Sequence, residues 1–485
     1  MNQAWTSVFV LFGIALIFLS SIEWKLKVVS FASFLGTSFI SDGFAFNVSP
    51  GAILSVFFVA SLVLLSIFHG KVVIPKLTVG GCILIFSLYC FFISVLAPSI
   101  FGDSVKVIKP GAVDEGIRFA VPFAWSFSAL AQNFYFAIVL LLILVSAYVS
   151  VSRSESLASM VNFHIAVAVT IAALAIVEIL FAISGHKVEI FNYLMGSDFM
   201  TPREDRYALD QVLGLPFSRA QGIFGEPSYF SAYMTGIFGC LLFMVRAKPG
   251  YKNILALLTV SLGLLASLST TSIVGMALVF VLVIFSPVYR NPGANPADTG
   301  EAVSNKSVVG KIGWVVFLVF IVSLVLFVLA SDDLYNYIFG KLSDTDGYLE
   351  GNYSSGAERL YWDSVAFQAF MDSYGLGIGA GATRPNSFLL TVLSSFGVPG
   401  LIVYSSLLIF LLRIMYGKAP RPLQFEQKQL AFLSFGWFCS MMISVPDGLS
   451  FFYLWVPVGM LIGLNFLPVS HQSFSMNEKY NEDLC

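Results

Sequence analysis

Three stretches of this 485-residue chain hold side chains able to do chemistry. The first, Ser218-Arg219-Ala220-Gln221-Gly222-Ile223-Phe224-Gly225-Glu226-Pro227-Ser228-Tyr229, sets a guanidinium and a carboxylate just ahead of a proline. Proline suits the first turn of a helix, so Glu226 falls at the cap, where free N–H groups and the positive end of the dipole favour an ionised carboxylate. A carboxylate there can accept a proton from a sugar hydroxyl. The same dipole lowers its basicity, and a cap that merely starts the helix fits the position equally well.

The second stretch is Ser354-Ser355-Gly356-Ala357-Glu358-Arg359-Leu360-Tyr361-Trp362-Asp363. Arg359, Trp362 and Asp363 recur at helical spacing, so guanidinium and indole can share one face. That pairing suits a sugar carrying phosphate, although Trp and Tyr also settle at membrane interfaces without any ligand. The third, Gly375-Leu376-Gly377-Ile378-Gly379-Ala380-Gly381-Ala382-Thr383-Arg384-Pro385-Asn386-Ser387-Phe388, alternates glycines that permit close backbone approach. Asn386 or Ser387 then caps a helix, so Arg384, the cap and the dipole can converge on one anion. The glycines lack the strand-turn-helix context of a nucleotide loop, and a flexible reversal turn is the plainer account. Glu178, near the outer end of an apolar run, is a candidate because intramembrane carboxylates are commonly functional, though it can also simply reach the interface. Asp344-Thr345-Asp346-Gly347 opens like a calcium loop, but Tyr348 stands at the fifth place, so a solvated acidic turn fits better.

The elements that position these residues are membrane helices. The chain is 57% hydrophobic and only 11% charged, against about 25% charged in soluble domains. Apolar runs lie at about 5–22, 27–46, 50–68, 76–97, 134–152, 157–184, 223–246, 253–268, 270–288, 311–331, 387–415, 428–446 and 449–468. They predict one all-α polytopic integral membrane domain over 1–485, with about 12–14 spans. No positive n-region precedes the first run, so a cleaved signal peptide is not expected. A net charge of −2 leaves no electrostatic footprint for nucleic acid. The five cysteines show no CxxC spacing and the four histidines lie far apart, so no disulfide framework and no metal set is expected.

Lys and Arg fix the orientation. Most of them lie in short connections on one side, which reads as cytoplasmic and holds the tail 469–485. The long loops 98–133, 185–222 and 332–386 then face outward. Lys dominates inside, whereas outside Arg118, Arg203, Arg206, Arg219, Arg359 and Arg384 outnumber Lys106, Lys109, Lys187 and Lys341. Arg is the cation that grips phosphate or carboxylate in two places. Its enrichment on the face where positive charge is usually depleted therefore points to an anionic ligand, with solvated charges balancing Glu204, Asp205 and Asp210 as the alternative.

In order and topology these stretches resemble the bacterial Wzy-type O-antigen or capsular polysaccharide polymerases, within the O-antigen ligase and polymerase superfamily. The resemblance runs from Arg219 to Tyr404. It is carried by RAQGIFGEPSYFSAY, by SLSTTSIVG (Ser267–Gly275), by ERLYW followed by YGLGIGAG, and by NSFLLTVLSSFGVPGLIVY (Asn386–Tyr404). It implies a glycosyltransferase C-like membrane fold with large periplasmic loops in the bacterial inner membrane. It also implies a metal-independent, cofactor-free transfer of an undecaprenyl-pyrophosphate-linked oligosaccharide onto the terminal sugar of another lipid-linked repeat. Arg219 and Arg359, and less securely Arg384, map to the phosphate-binding arginines. Glu226 is the candidate base, with Glu178 or Asp447 behind it; Arg203, Arg206, Trp362 and Asn386 join as substrate contacts. A flippase and a chain-length regulator are the implied partners. Pro385 stands where many members carry a histidine before the asparagine, and Thr270 and Thr271 stand where an arginine is frequent. An O-antigen ligase and a lipid-oligosaccharide flippase are the alternatives; the charge gathered in outer loops and the lack of evident repeats favour surface chemistry over transport.

Overall fold

The computed structural model describes residues 2–34, 50–69, 77–102, 104–114, 117–152, 156–184, 186, 190–191, 219–224, 226–286, 355–417, 424–445, 449 and 451–466. Among these the helices are α1 (Asn2–Leu19), α2 (Ile22–Phe34), α3 (Pro50–His69), α4 (Leu77–Phe101), α5 (Phe127–Ser152), α6 (Ser156–Ile183), α7 (Pro227–Ala247), α8 (Tyr251–Ala266), α9 (Thr270–Phe285), α10 (Ser355–Asp372), α11 (Phe388–Tyr416), α12 (Gln424–Ser444) and α13 (Phe452–Phe466). Each apolar run of the sequence meets a helix except 311–331, which lies outside the described residues, as do positions 35–46 of the run 27–46. Among the described residues four helices are long and apolar enough to cross a membrane: those containing Ala131–Val151, Ser156–Ile183, Pro227–Ala247 and Phe388–Tyr416. The protein is a mostly helical, membrane-embedded one.

The segment 98–133 departs from the all-α expectation. It holds an antiparallel hairpin, β1 (Lys106–Asp114) and β2 (Ile117–Pro122), whose register shifts between Ile108 and Val113 around Pro110 and Gly111. Proline has no N–H for the ladder, so the irregularity falls where the sequence cannot pair. Periodicity counts over long apolar windows pass over so short a β-segment.

Helix α7 is the centre of the bundle and is buried on all sides down to Phe243. It runs antiparallel to α12: Trp437 Nε1 donates to the Tyr233 carbonyl at 2.7 Å, while the Phe243 ring stacks on Phe432 at 5.0 Å. Between these contacts Gly236 and Gly436 bring the two backbones together. A Cβ on Gly436 would lie 2.8 Å from the Gly236 Cα. Close backbone approach through small residues is the packing that remains available when lipid removes the hydrophobic drive between helices.

Helix α11 is not one straight span over 387–415. Gly397 has φ 61° and ψ −151°, and divides it into two arms. At 1.5 Å per residue the stretches from Gly397 to Phe388 and to Tyr404 are about 13 and 10 Å long. Their Phe388 and Tyr404 rings nevertheless lie 5.5 Å apart. The upper arm therefore folds back, and only 398–416, about 27 Å long, is left to cross a membrane. The elbow is seated by the glycine run of the sequence. Gly375, Gly377, Gly379 and Gly381 all have positive φ, and Ile378 and Gly379 donate to the Ser394 and Ser395 carbonyls at 2.7 and 2.9 Å.

Candidate functional site

Arg219 lies on the segment that leads into α7. Gly222, at φ +55°, turns the chain through a short 3-10 segment, Gly222–Phe224, into Pro227. Ala220 N–H donates to the Ala266 carbonyl at 3.0 Å, and Arg219 Nε donates to the Ser267 carbonyl at the same distance. Ser267 belongs to the tight turn Ser267-Leu268-Ser269 that joins α8 to α9, with Leu268 in the left-handed region at φ 43°. Buried hydroxyls tie this turn to α7: Ser231 Oγ lies 2.9 Å from Ser267 Oγ and donates to the Pro227 carbonyl at 2.6 Å. The amino ends of α7 and α9 and one guanidinium thus gather around a single serine-lined turn. The two amino ends and Arg219 favour an anion here, while the carboxy end of α8, whose last carbonyls Arg219 and Ala220 bond, offsets part of that field.

Glu226 holds the cap position of α7 in extended geometry, yet its side chain makes no capping hydrogen bond. Instead its Oε2 accepts from Ser228 Oγ at 3.4 Å, beyond ordinary hydrogen-bond length. The N–H groups a cap would take are those of Ser228 and Tyr229, and the partly exposed Glu226 carboxylate bonds neither.

A second group forms at the start of α11. Asp363 Oδ1, projecting from α10, accepts the N–H groups of Asn386 at 2.7 Å and Ser387 at 3.3 Å. Ser387 is the cap itself, its hydroxyl accepting from Leu390 N–H at 3.3 Å. Burial raises the proton affinity of Asp363 above the ordinary carboxylate value; the two N–H groups and Arg359, one turn earlier on α10, pull the other way. Thr383 and Arg384 are moored to the hairpin, with Ile108 N–H donating to Thr383 Oγ1 at 3.1 Å and Arg384 N–H to the Ile108 carbonyl at 3.2 Å. The structure therefore brings Arg359, Trp362, Arg384 and Asn386 to one neighbourhood, but the amino end of α11 that was expected to receive a ligand anion is already held by Asp363. The glycine run is likewise engaged within the chain. Gly377 N–H donates to Ser373 Oγ at 3.0 Å and Ala380 N–H to Ser94 Oγ at 3.3 Å, and a Cβ at Gly379 would meet the Ser94 backbone at 2.6 Å. The backbone these glycines approach is the protein's own.

No family model and no curated protein matches the chain. Glu178 accepts the N–H of Phe191 at 2.9 Å and so fastens the chain beyond α6 back to that helix. Arg203, Arg206 and Asp447 lie outside the described residues. Ser231 and Ser267, the ties between α7 and α9, stand out by no spacing of their own in the sequence. A short polar run between two apolar segments was the available signal.

Proposed function

We propose that the protein is a polysaccharide polymerase that transfers a polyprenyl-pyrophosphate-linked oligosaccharide to the terminal sugar of a second lipid-linked repeat at the outer face of the membrane. The observation that carries this reading is the meeting of Arg219 with the amino ends of α7 and α9 at the Ser267 turn. An acceptor hydroxyl attacks the anomeric carbon of the donor, the bond to the pyrophosphate oxygen breaks, and the lipid pyrophosphate leaves with the electron pair. Arg219 and the two dipoles stabilise the charge that grows on that leaving group. Glu226, at the cap of α7 and making no capping hydrogen bond, takes the proton of the attacking hydroxyl. Arg359 and Trp362 are assigned to the phosphate and sugar of one substrate on the other group, through the outer loop that α10 carries.

The test incubates purified protein with a lipid-pyrophosphate repeat unit and separates the products by length. A ladder is expected from the wild type. Arg219→Ala should lower the rate by about two to three powers of ten, and Glu226→Gln should lose transfer while keeping donor binding. A single transfer to a core acceptor identifies a ligase instead, and movement across vesicles with no covalent product identifies a transporter.

A further inference from the structure

The face of helix α10 packed on the protein carries Ala366, Ala369 and Ser373, all fully buried, together with Trp362, whose Nε1 is buried as well. The opposite stripe is large and apolar: Leu360 is 41% exposed, Phe367 48%, Met371 53% and Tyr374 87%. At 3.6 residues per turn Leu360, Phe367 and Met371 fall within about 40° of one another, and Tyr374 follows just past the end of the helix, at φ 53°. Along one edge of the stripe, Ser364, Gln368 and Asp372 follow at every fourth position, Gln368 Nε2 donating to Asp372 Oδ1 at 2.7 Å. A helix resting on a protein in water buries its large apolar side chains. Small residues where the helix approaches its neighbours and large apolar ones turned outward suit a helix bathed in lipid. The stripe also has a continuation. Val398 N–H donates to the Gly375 carbonyl at 2.8 Å, and from Val398 the exposed apolar surface runs on through Ile402 and Val403 of the spanning arm of α11.

We propose that α10 lies in the outer interface of the membrane as a three-sided helix, with lipid acyl chains covering Leu360, Phe367, Met371 and Tyr374. The edge Ser364-Gln368-Asp372 faces water, and the small-residue side seats the helix on the protein. Acyl chains are the occupant because the stripe carries no charge and is continuous with the outward surface of an arm that itself crosses the bilayer. An interfacial helix of this kind binds by the apolar area it sinks into the headgroup boundary.

Single cysteines at Phe367, Met371, Ser364 and Gln368, with Cys82 and Cys485 replaced by serine and the buried Cys90, Cys240 and Cys439 retained, carry a nitroxide label in reconstituted vesicles. Collision with oxygen, which concentrates in the hydrocarbon, is compared with collision with a water-soluble nickel chelate. Oxygen should dominate at 367 and 371 by severalfold and the chelate at 364 and 368, and size-exclusion profiles check that each variant is folded. Dominance of the chelate at 367 and 371 places the stripe in water and overturns the proposal. Shielding of both positions from both reagents means that protein covers the stripe, whether another segment of this chain or a second copy, and overturns it equally.

Discussion

Replacing Asp363 by alanine removes the single oxygen that receives the N–H groups of Asn386 and Ser387. The 2.7 Å contact is a charge-assisted hydrogen bond, worth about 1.5–3 kcal/mol. The 3.3 Å contact to Ser387 lies beyond the usual range and adds little. Against this stands the burial that raises the proton affinity of Asp363 and shows that its surroundings disfavour the charge. A net loss of about 1–2 kcal/mol follows, which is a factor of about 5–30 in the opening equilibrium of this turn. Hydrogen exchange read by mass spectrometry on peptides covering 384–390 measures it directly. Asp363→Ala should accelerate exchange there by that factor, while peptides from the Ser267 turn keep the wild-type rate. Asp363→Asn retains an acceptor oxygen and should stay within about fivefold of wild type. Equal exchange in the alanine variant and the wild type refutes the view that α10 holds the start of α11 through this carboxylate.

The same residue sets a pH dependence. Its folded proton affinity is above the ordinary value of 3.8, so the folded state binds the proton more tightly than the unfolded one. Its contribution to stability is fully present below the ordinary value and is lost as pH rises through the raised one; thermal melting of Asp363→Asn should lack that decline. Gly377→Ala should be severely destabilising, since the new Cβ would lie 2.7 Å from the Gly397 nitrogen and the Ser395 carbonyl oxygen at a φ of +82°. The left-handed backbone alone costs about 1–2 kcal/mol, and a melting temperature equal to wild type would show that the elbow does not depend on this seat. A cysteine in place of Ser355 should react from outside with a membrane-impermeant thiol reagent, and protection would reverse the orientation read from Lys and Arg.

The sequence by itself determined the class of molecule. Apolar runs such as 157–184 and 223–246 leave the backbone no water to bond with in a bilayer, so each closes its own hydrogen bonds as a helix, and α6 and α7 appear where the runs predict. The cap at Ser387 and the helix start at Pro227 were legible for a similar local reason, because cap chemistry acts within one turn. Whatever depends on contacts between distant segments was decided by the tertiary structure. The sequence offered Arg384 and the start of α11 as a place for a ligand anion; only the packing of α10 against α11 put Asp363 there first. The alternating glycines read as a cradle for a ligand, and their partners proved to be Ser94, Ser395 and Gly397, chosen by an elbow that no periodicity announces. Arg219 and Ser267 are 48 positions apart, and their meeting depends on α8 returning the chain to the start of α7. Burial of a helix run is a local property of composition, whereas which helix ends meet is a property of the whole packed bundle.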